Sequence, residues 1–126
     1  MKQGLLVLGL ILLTGCAMAP KQELTDYKAH SNALTGVAMC ADAGHVTTAQ
    51  SEELMQIMYG RLAQDYSYDP EKRASQYSAR LDELKVQLDQ ADATGLEFFE
   101  QVCKQIPSML AYNRTAKDNI KVPQFD

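Results

Sequence analysis

Few residues of this 126-residue chain are equipped for chemistry: three cysteines at positions 16, 40 and 103, two histidines, His30 and His45, and the adjacent acids Glu52-Glu53 and Asp82-Glu83. A thiol can attack a carbonyl, hold a soft metal, bond to a second thiol or accept an acyl chain. Metal and redox sites need clustered ligands, and the sequence has no Cys-x-x-Cys and no third histidine. It also lacks G-x-S-x-G, H-E-x-x-H and any phosphate-binding glycine loop. Two carboxylates about 5 to 9 Å apart can hydrolyse a glycoside. Glu52-Glu53 and Asp82-Glu83 read more simply as solvated helix faces, and the two histidines as surface or helix-end residues. The expectation is a protein that is not an enzyme and carries no cofactor and no metal.

Cys16 has a distinctive position. Met1–Gln3 carries one lysine, and Gly4–Leu13 then runs ten residues without a polar side chain. As a helix that run covers roughly 15 Å, about half of a ~30 Å hydrocarbon layer, which is short for a transmembrane span and suited to an export signal. Leu13-Thr14-Gly15-Cys16 closes it and resembles the lipobox of bacterial lipoproteins. The resemblance implies that residues 1–15 are a signal peptide and that Cys16 becomes a lipidated N-terminus, held on a membrane by several acyl chains. Ala17 stands where an aspartate would resemble the inner-membrane retention signal, so the expected location is the outer membrane, facing the periplasm.

Without the signal about 111 residues remain, enough for one domain with one modest core. Losing Lys2 leaves eleven basic against sixteen acidic side chains with no basic run, which argues against nucleic acid as a partner. With Cys16 spent on lipid, Cys40 and Cys103 are the only thiol pair in an oxidising compartment, and a disulfide is expected between them.

The sequence divides into elements able to position these residues. Residues 16–22, with Pro20, form a lipidated tether, 23–114 a helical domain, and 115–126 a flexible C-terminal tail on which only Ile120, Val122 or Phe125 could dock. A first helix is expected over Glu23–Asp42, stopped by Ala43-Gly44. Thr47 and Gln50 have capping-box spacing for a second helix to about Tyr66. Asp69, Pro70 and Glu71 open a third, in which Ala74, Tyr77, Leu81, Leu84, Leu88 and Ala91 make a single apolar stripe. Thr94 and Glu97 suggest a cap for a fourth, with Leu96, Phe99, Val102, Cys103, Ile106 and Leu110 inward and a break or kink at Pro107. The fold class is therefore all-α, a small four-helix bundle-like domain stapled by one disulfide.

The second helix is apolar around more of its circumference than one core face uses, because Met55, Tyr59 and Tyr66 lie beside the Leu54, Met58 stripe. These three residues are the candidate lining of a groove for a partner helix, with ordinary core as the competing reading. A lipobox, a first helix ending near a cysteine and a last helix carrying its partner resemble the layout of the helical pilotin lipoproteins of type II secretion systems. That resemblance implies a protein-binding accessory that escorts an envelope component. The alternative is a structural or protective surface lipoprotein, such as an exclusion or inhibitor protein.

Overall fold

The computed structural model describes residues 21–125, so Cys16 and the apolar run before it lie outside the described residues. Two short strands and five helices follow one another: β1 (Gln22–Glu23), α1 (Tyr27–Asp42), α2 (Thr48–Asp65), β2 (Tyr66–Ser67), α3 (Pro70–Gln90), α4 (Ala93–Cys103) and α5 (Ile106–Asn113). The all-α bundle held by a disulfide is what the periodicity and the cysteine count implied, with two changes of detail at helix starts and, at Pro107, a break instead of a kink.

The first helix starts at Tyr27 rather than Glu23, because Asp26 caps it: its Oδ1 accepts the Ala29 amide at 3.0 Å. The residues before the cap are extended instead, and β1 pairs in parallel with β2 in the register Gln22 to Tyr66. This small ribbon closes one end of the bundle over Leu24, Tyr27 and Leu62, with Tyr66 and Tyr68 packed beside them. The Tyr27 hydroxyl accepts the Asp69 amide at 2.9 Å and so ties α1 to the start of α3.

At its other end α1 stops where Gly44 takes φ +80°, a left-handed conformation that a glycine adopts without a Cβ penalty. The reciprocal Thr47–Gln50 box then opens α2, with bonds of 3.0 and 3.1 Å. Ser51 donates to the Val37 carbonyl across the helix pair at 2.9 Å, so the α1–α2 contact is fixed by a buried polar bond as well as by Leu34, Val37, Leu54 and Met58. Asp69 caps α3 through the Glu71 and Lys72 amides. Leu84 is the buried residue of that long helix, with Tyr77, Leu81 and Leu88 half-covered, which matches single-sided packing on α1.

The cap of α4 is Asp92, whose carboxylate accepts the Gly95 amide at 2.8 Å; Thr94 already lies inside the helix. A carboxylate at the positive helix end takes the capping role two residues before the hydroxyl could. The fourth helix of the sequence reading is two helices. Pro107 has no amide to give the Cys103 carbonyl, so α4 ends at Cys103 and α5 restarts with Pro107 in its first turn, where the missing donor costs nothing.

Cys40, in the last turns of α1, is bonded to Cys103 at the end of α4, with a Cα–Cα distance of 5.4 Å and both residues fully buried. Over residues 120–125 the tail docks through the side chains for which the sequence left that possibility open, Ile120, Val122 and Phe125. Buried Asn113 clamps Lys121 from both sides, donating to its carbonyl at 2.8 Å and accepting its amide at 2.7 Å. Ile120 and Val122 then pack on the core, Pro123 is buried, and the Phe125 ring lies against Phe99 at 5.7 Å between centroids. Gly36 makes this possible, since a Cβ there would collide with the Phe125 ring. Among the described residues no helix is long and apolar enough to cross a membrane.

Two variants test this architecture. Cys103→Ser should cost about 2 to 5 kcal/mol in denaturant unfolding, as removal of the single bridge does in small exported domains. Asn113→Ala should leave the helices intact by circular dichroism while the Lys121 amide loses its protection from hydrogen exchange, because that amide then has no acceptor.

Candidate functional site

Among the described residues a cleft of about 770 Å³ opens where the C-terminal ends of α1 and α3 meet the first turns of α4. It follows from the packing already described. The disulfide and Phe99 draw α4 onto α1, Leu84 draws α3 onto α1, and the two-residue link Ala91–Asp92 leaves the flanks of α3 and α4 apart. Met39, Leu88, Leu96 and Phe99 supply apolar lining, and Asp42, Asp89, Glu97 and Glu100 supply acids.

Leu96 was expected to point into the core but is 45% exposed, and its neighbour Phe98 is 48% exposed. Leu96 shares a helix face with Phe99 and Cys103, but at its height α1 has already ended in the Asp42–Gly44 turn, so no helix covers it. The adjacent pair Phe98-Phe99 was a signal of this in the sequence, since two consecutive helical residues point about 100° apart and only one can face the core.

The charge in the cleft is only partly neutralised. Glu100 has Lys104 at 3.5 Å and His45 Nδ1 at 3.8 Å, the latter too far for a hydrogen bond. Asp42, Asp89 and Glu97 pair with no cation among the described residues. The His45 ring meets Phe99 edge-on at 5.9 Å, and no serine, threonine or cysteine lines the cleft beside it. Among the described residues no group of three histidines, cysteines or acids could hold a metal ion. The arrangement suits binding of an apolar surface with positive charge at its edges.

Met55, Tyr59 and Tyr66 do not line one groove. Met55 and Tyr59 are half-buried beside Glu52 and Gln56 on one flank of α2, whereas Tyr66 lines a separate apolar pocket of about 210 Å³ with His30, Met58, Leu62, Ile120 and Val122. Tyr59 is also occupied from α3: the Arg73 guanidinium lies 4.8 Å from its ring centroid and donates to its hydroxyl at 3.3 Å. The breadth of the apolar surface on α2 has a packing reason, because this helix meets α1, α5, the docked tail and the start of α3.

Two further electrostatic features mark that region. Arg114 grips Glu53 with Nε and Nη2 at 2.7 and 2.8 Å, and this hydrogen bonding holds the Glu53 carboxyl below the usual carboxylate range. His30, edge-on to Tyr59, has a buried Nε2 without a hydrogen-bond partner among the described residues; burial, and then the charge of Arg73, lower its pKa. Compared with protein-family models, curated proteins and solved structures, the chain found no match in any of the three.

The His30 environment generates a pH prediction. A histidine whose folded pKa lies below its unfolded value of 6.5 leaves stability unaffected above that value and lowers it as pH falls through 6.5, because the unfolded chain binds the proton more tightly. Urea melts should therefore show stability declining below pH 6.5, still above the carboxylate range. His30→Phe should flatten that decline; an unchanged slope would assign it to other groups.

Proposed function

We propose that this protein is a lipid-anchored accessory of the bacterial envelope, fixed to the outer membrane through Cys16 and facing the periplasm. In this reading it is not an enzyme. It holds the apolar side of a helix from an envelope assembly in the cleft between α1, α3 and α4, as a pilotin-like escort would. The observation that carries the reading is the uncovered Leu96, with Phe98 beside it, at a cleft whose acids are mostly unpaired. Large apolar side chains exposed next to a concavity are the usual mark of a docking surface.

Anchor geometry supports the same reading. Cys16 is five residues from Lys21, a reach of about 18 Å at full extension, so an anchored chain keeps the β1–β2 end of the domain close to the bilayer. The sixteen residues of α1 then carry the cleft roughly 24 Å further along the helix axis. A partner helix is met on the side turned toward the periplasm. The unpaired Asp42, Asp89 and Glu97 favour one with lysine or arginine flanking its apolar face.

Two measurements test the proposal. Mass spectrometry of the native protein should find Cys16 as a diacylglycerol-modified N-terminus and Cys16→Ser unprocessed; an unmodified mature cysteine refutes the anchor. A photo-crosslinking residue at Leu96 in cells should give an adduct to a helical segment of an outer-membrane assembly protein, and one at Met55 should not. Leu96→Glu should abolish capture while shifting unfolding stability by no more than about 0.5 kcal/mol, as exposed substitutions do. A large loss of stability would make Leu96 a core residue and end the cleft reading.

A further inference from the structure

A second concavity, nearer the N-terminal end of the same α1 face, has a different chemistry. Lys28 and Ser31 of α1 face Gln76, Ala79, Arg80 and Glu83 of α3 across a cavity of about 190 Å³, well above the roughly 10–15 Å³ that holds one water. Ser31 is 1% exposed, and its Oγ has no hydrogen-bond partner among the described residues. A serine within a helix commonly donates to the carbonyl one turn back, yet here the Thr35 hydroxyl makes that type of bond, to the Ser31 carbonyl at 2.7 Å.

Arg80 lies opposite. Its Nη1 donates to Glu83 at 3.2 Å, and its Nε is buried without a partner among the described residues. The Nε edge of a guanidinium is the edge that grips an oxyanion with two parallel bonds, as Arg114 grips Glu53 in this protein. In Arg80 that edge is uncommitted. With Glu83 answering Arg80, the Lys28 ammonium leaves the lining with one net positive charge, and the Gln76 amide adds a further donor.

We infer that this cavity is a binding site for a phosphate oxyanion, taken up between the Arg80 Nε edge, the Ser31 hydroxyl and the Lys28 ammonium. Two buried donors without partners and an uncompensated cation meet in one cavity, and an oxyanion with several acceptor oxygens satisfies all three at once. The shared chemistry is a phosphate group, either free in solution or carried by a lipid headgroup. Lys28 and Ser31 belong to the first turns of α1, which follow closely on β1 and the chain leading to Cys16. The inference stands on these contacts and does not depend on the α1–α3–α4 cleft.

The test is a titration of the full chain, isotopically labelled and held in a phosphate-free non-ionic detergent, with inorganic phosphate at constant ionic strength. The Arg80 Nε–H resonance should shift saturably while that of Arg114, already committed to Glu53, stays in place. Arg80→Gln and Ser31→Ala should each weaken binding about tenfold or more, the factor equivalent to ~1.4 kcal/mol. The exposed Lys28→Gln, which does not threaten folding, should also weaken it, and Lys85→Gln on α3 away from the cavity should not. Vesicles of phosphatidylglycerol distinguish the source: Arg80-dependent binding displaced by phosphate identifies a headgroup, and binding of soluble phosphate alone identifies the free ion. A non-saturable shift, equal shifts at Arg80 and Arg114, or wild-type affinity in Lys28→Gln would overturn the site.

Discussion

The bond between Cys40 and Cys103 is the constraint on which the arrangement of this small domain depends. It joins the late turns of α1 to the end of α4, across 63 residues of chain, at a point where both cysteines are fully buried. A core built around Leu34, Val37, Leu54, Leu84, Phe99, Ile106 and Leu110 is modest for its length, and closing so long a loop removes unfolded-state freedom that this core alone would have to offset. The same bond decides where α4 can lie. With α4 held to α1 at its C-terminal end and joined to α3 by two residues at its N-terminal end, the cleft lies in the angle between the three helices.

Polar contacts between elements fix what apolar packing leaves free. Ser51 to the Val37 carbonyl, the Asp69 amide to the Tyr27 hydroxyl, and the paired Asn113–Lys121 bonds each join segments distant in sequence or conformation. Burial of leucine and methionine side chains is not directional, so it brings helices together without choosing their register. A buried donor and acceptor that must meet do choose it, because leaving either unpaired costs more than the bond contributes. The tail illustrates this. Thr115–Asn119 shows no helical or strand structure, yet the Asn113 clamp redirects the chain so that Val122, Pro123 and Phe125 reach the core.

The two concavities lie at opposite ends of the seam between α1 and α3 and differ in the charge they expose. The α1–α3–α4 cleft joins Leu96, Leu88 and Phe99 to several unpaired acids, which suits an apolar surface bordered by positive charge. The α1–α3 cavity joins buried donors to a lysine, which suits an oxyanion. Helix α1 serves both because one of its faces runs the length of α3: the Lys28–Ser31 end of that face meets polar residues of α3, and the Met39–Asp42 end meets Leu88 and Asp89 beside α4.

The helical class, the capping of α2 and α3, the single-sided burial of α3, the break at Pro107 and the Cys40–Cys103 pair were all legible in the residues. Each depends on near neighbours along the chain, or on a composition that leaves a single thiol partner: Thr47 with Gln50, Asp69 with Pro70, the repeat ending at Leu88. What could not be read were relations between segments. Which of Asp92 and Thr94 caps α4, whether residues 22–23 continue a helix or pair with 66–67, and whether Met55, Tyr59 and Tyr66 share a groove depend on which surfaces lie opposite them. Arg73 of α3 covers Tyr59, the end of α1 uncovers Leu96, and Gly36 admits Phe125, none of which a local pattern contains. Local periodicity determined which face of each helix was apolar, and only the tertiary packing decided which part of that face was covered, because coverage belongs to the neighbour and not to the helix.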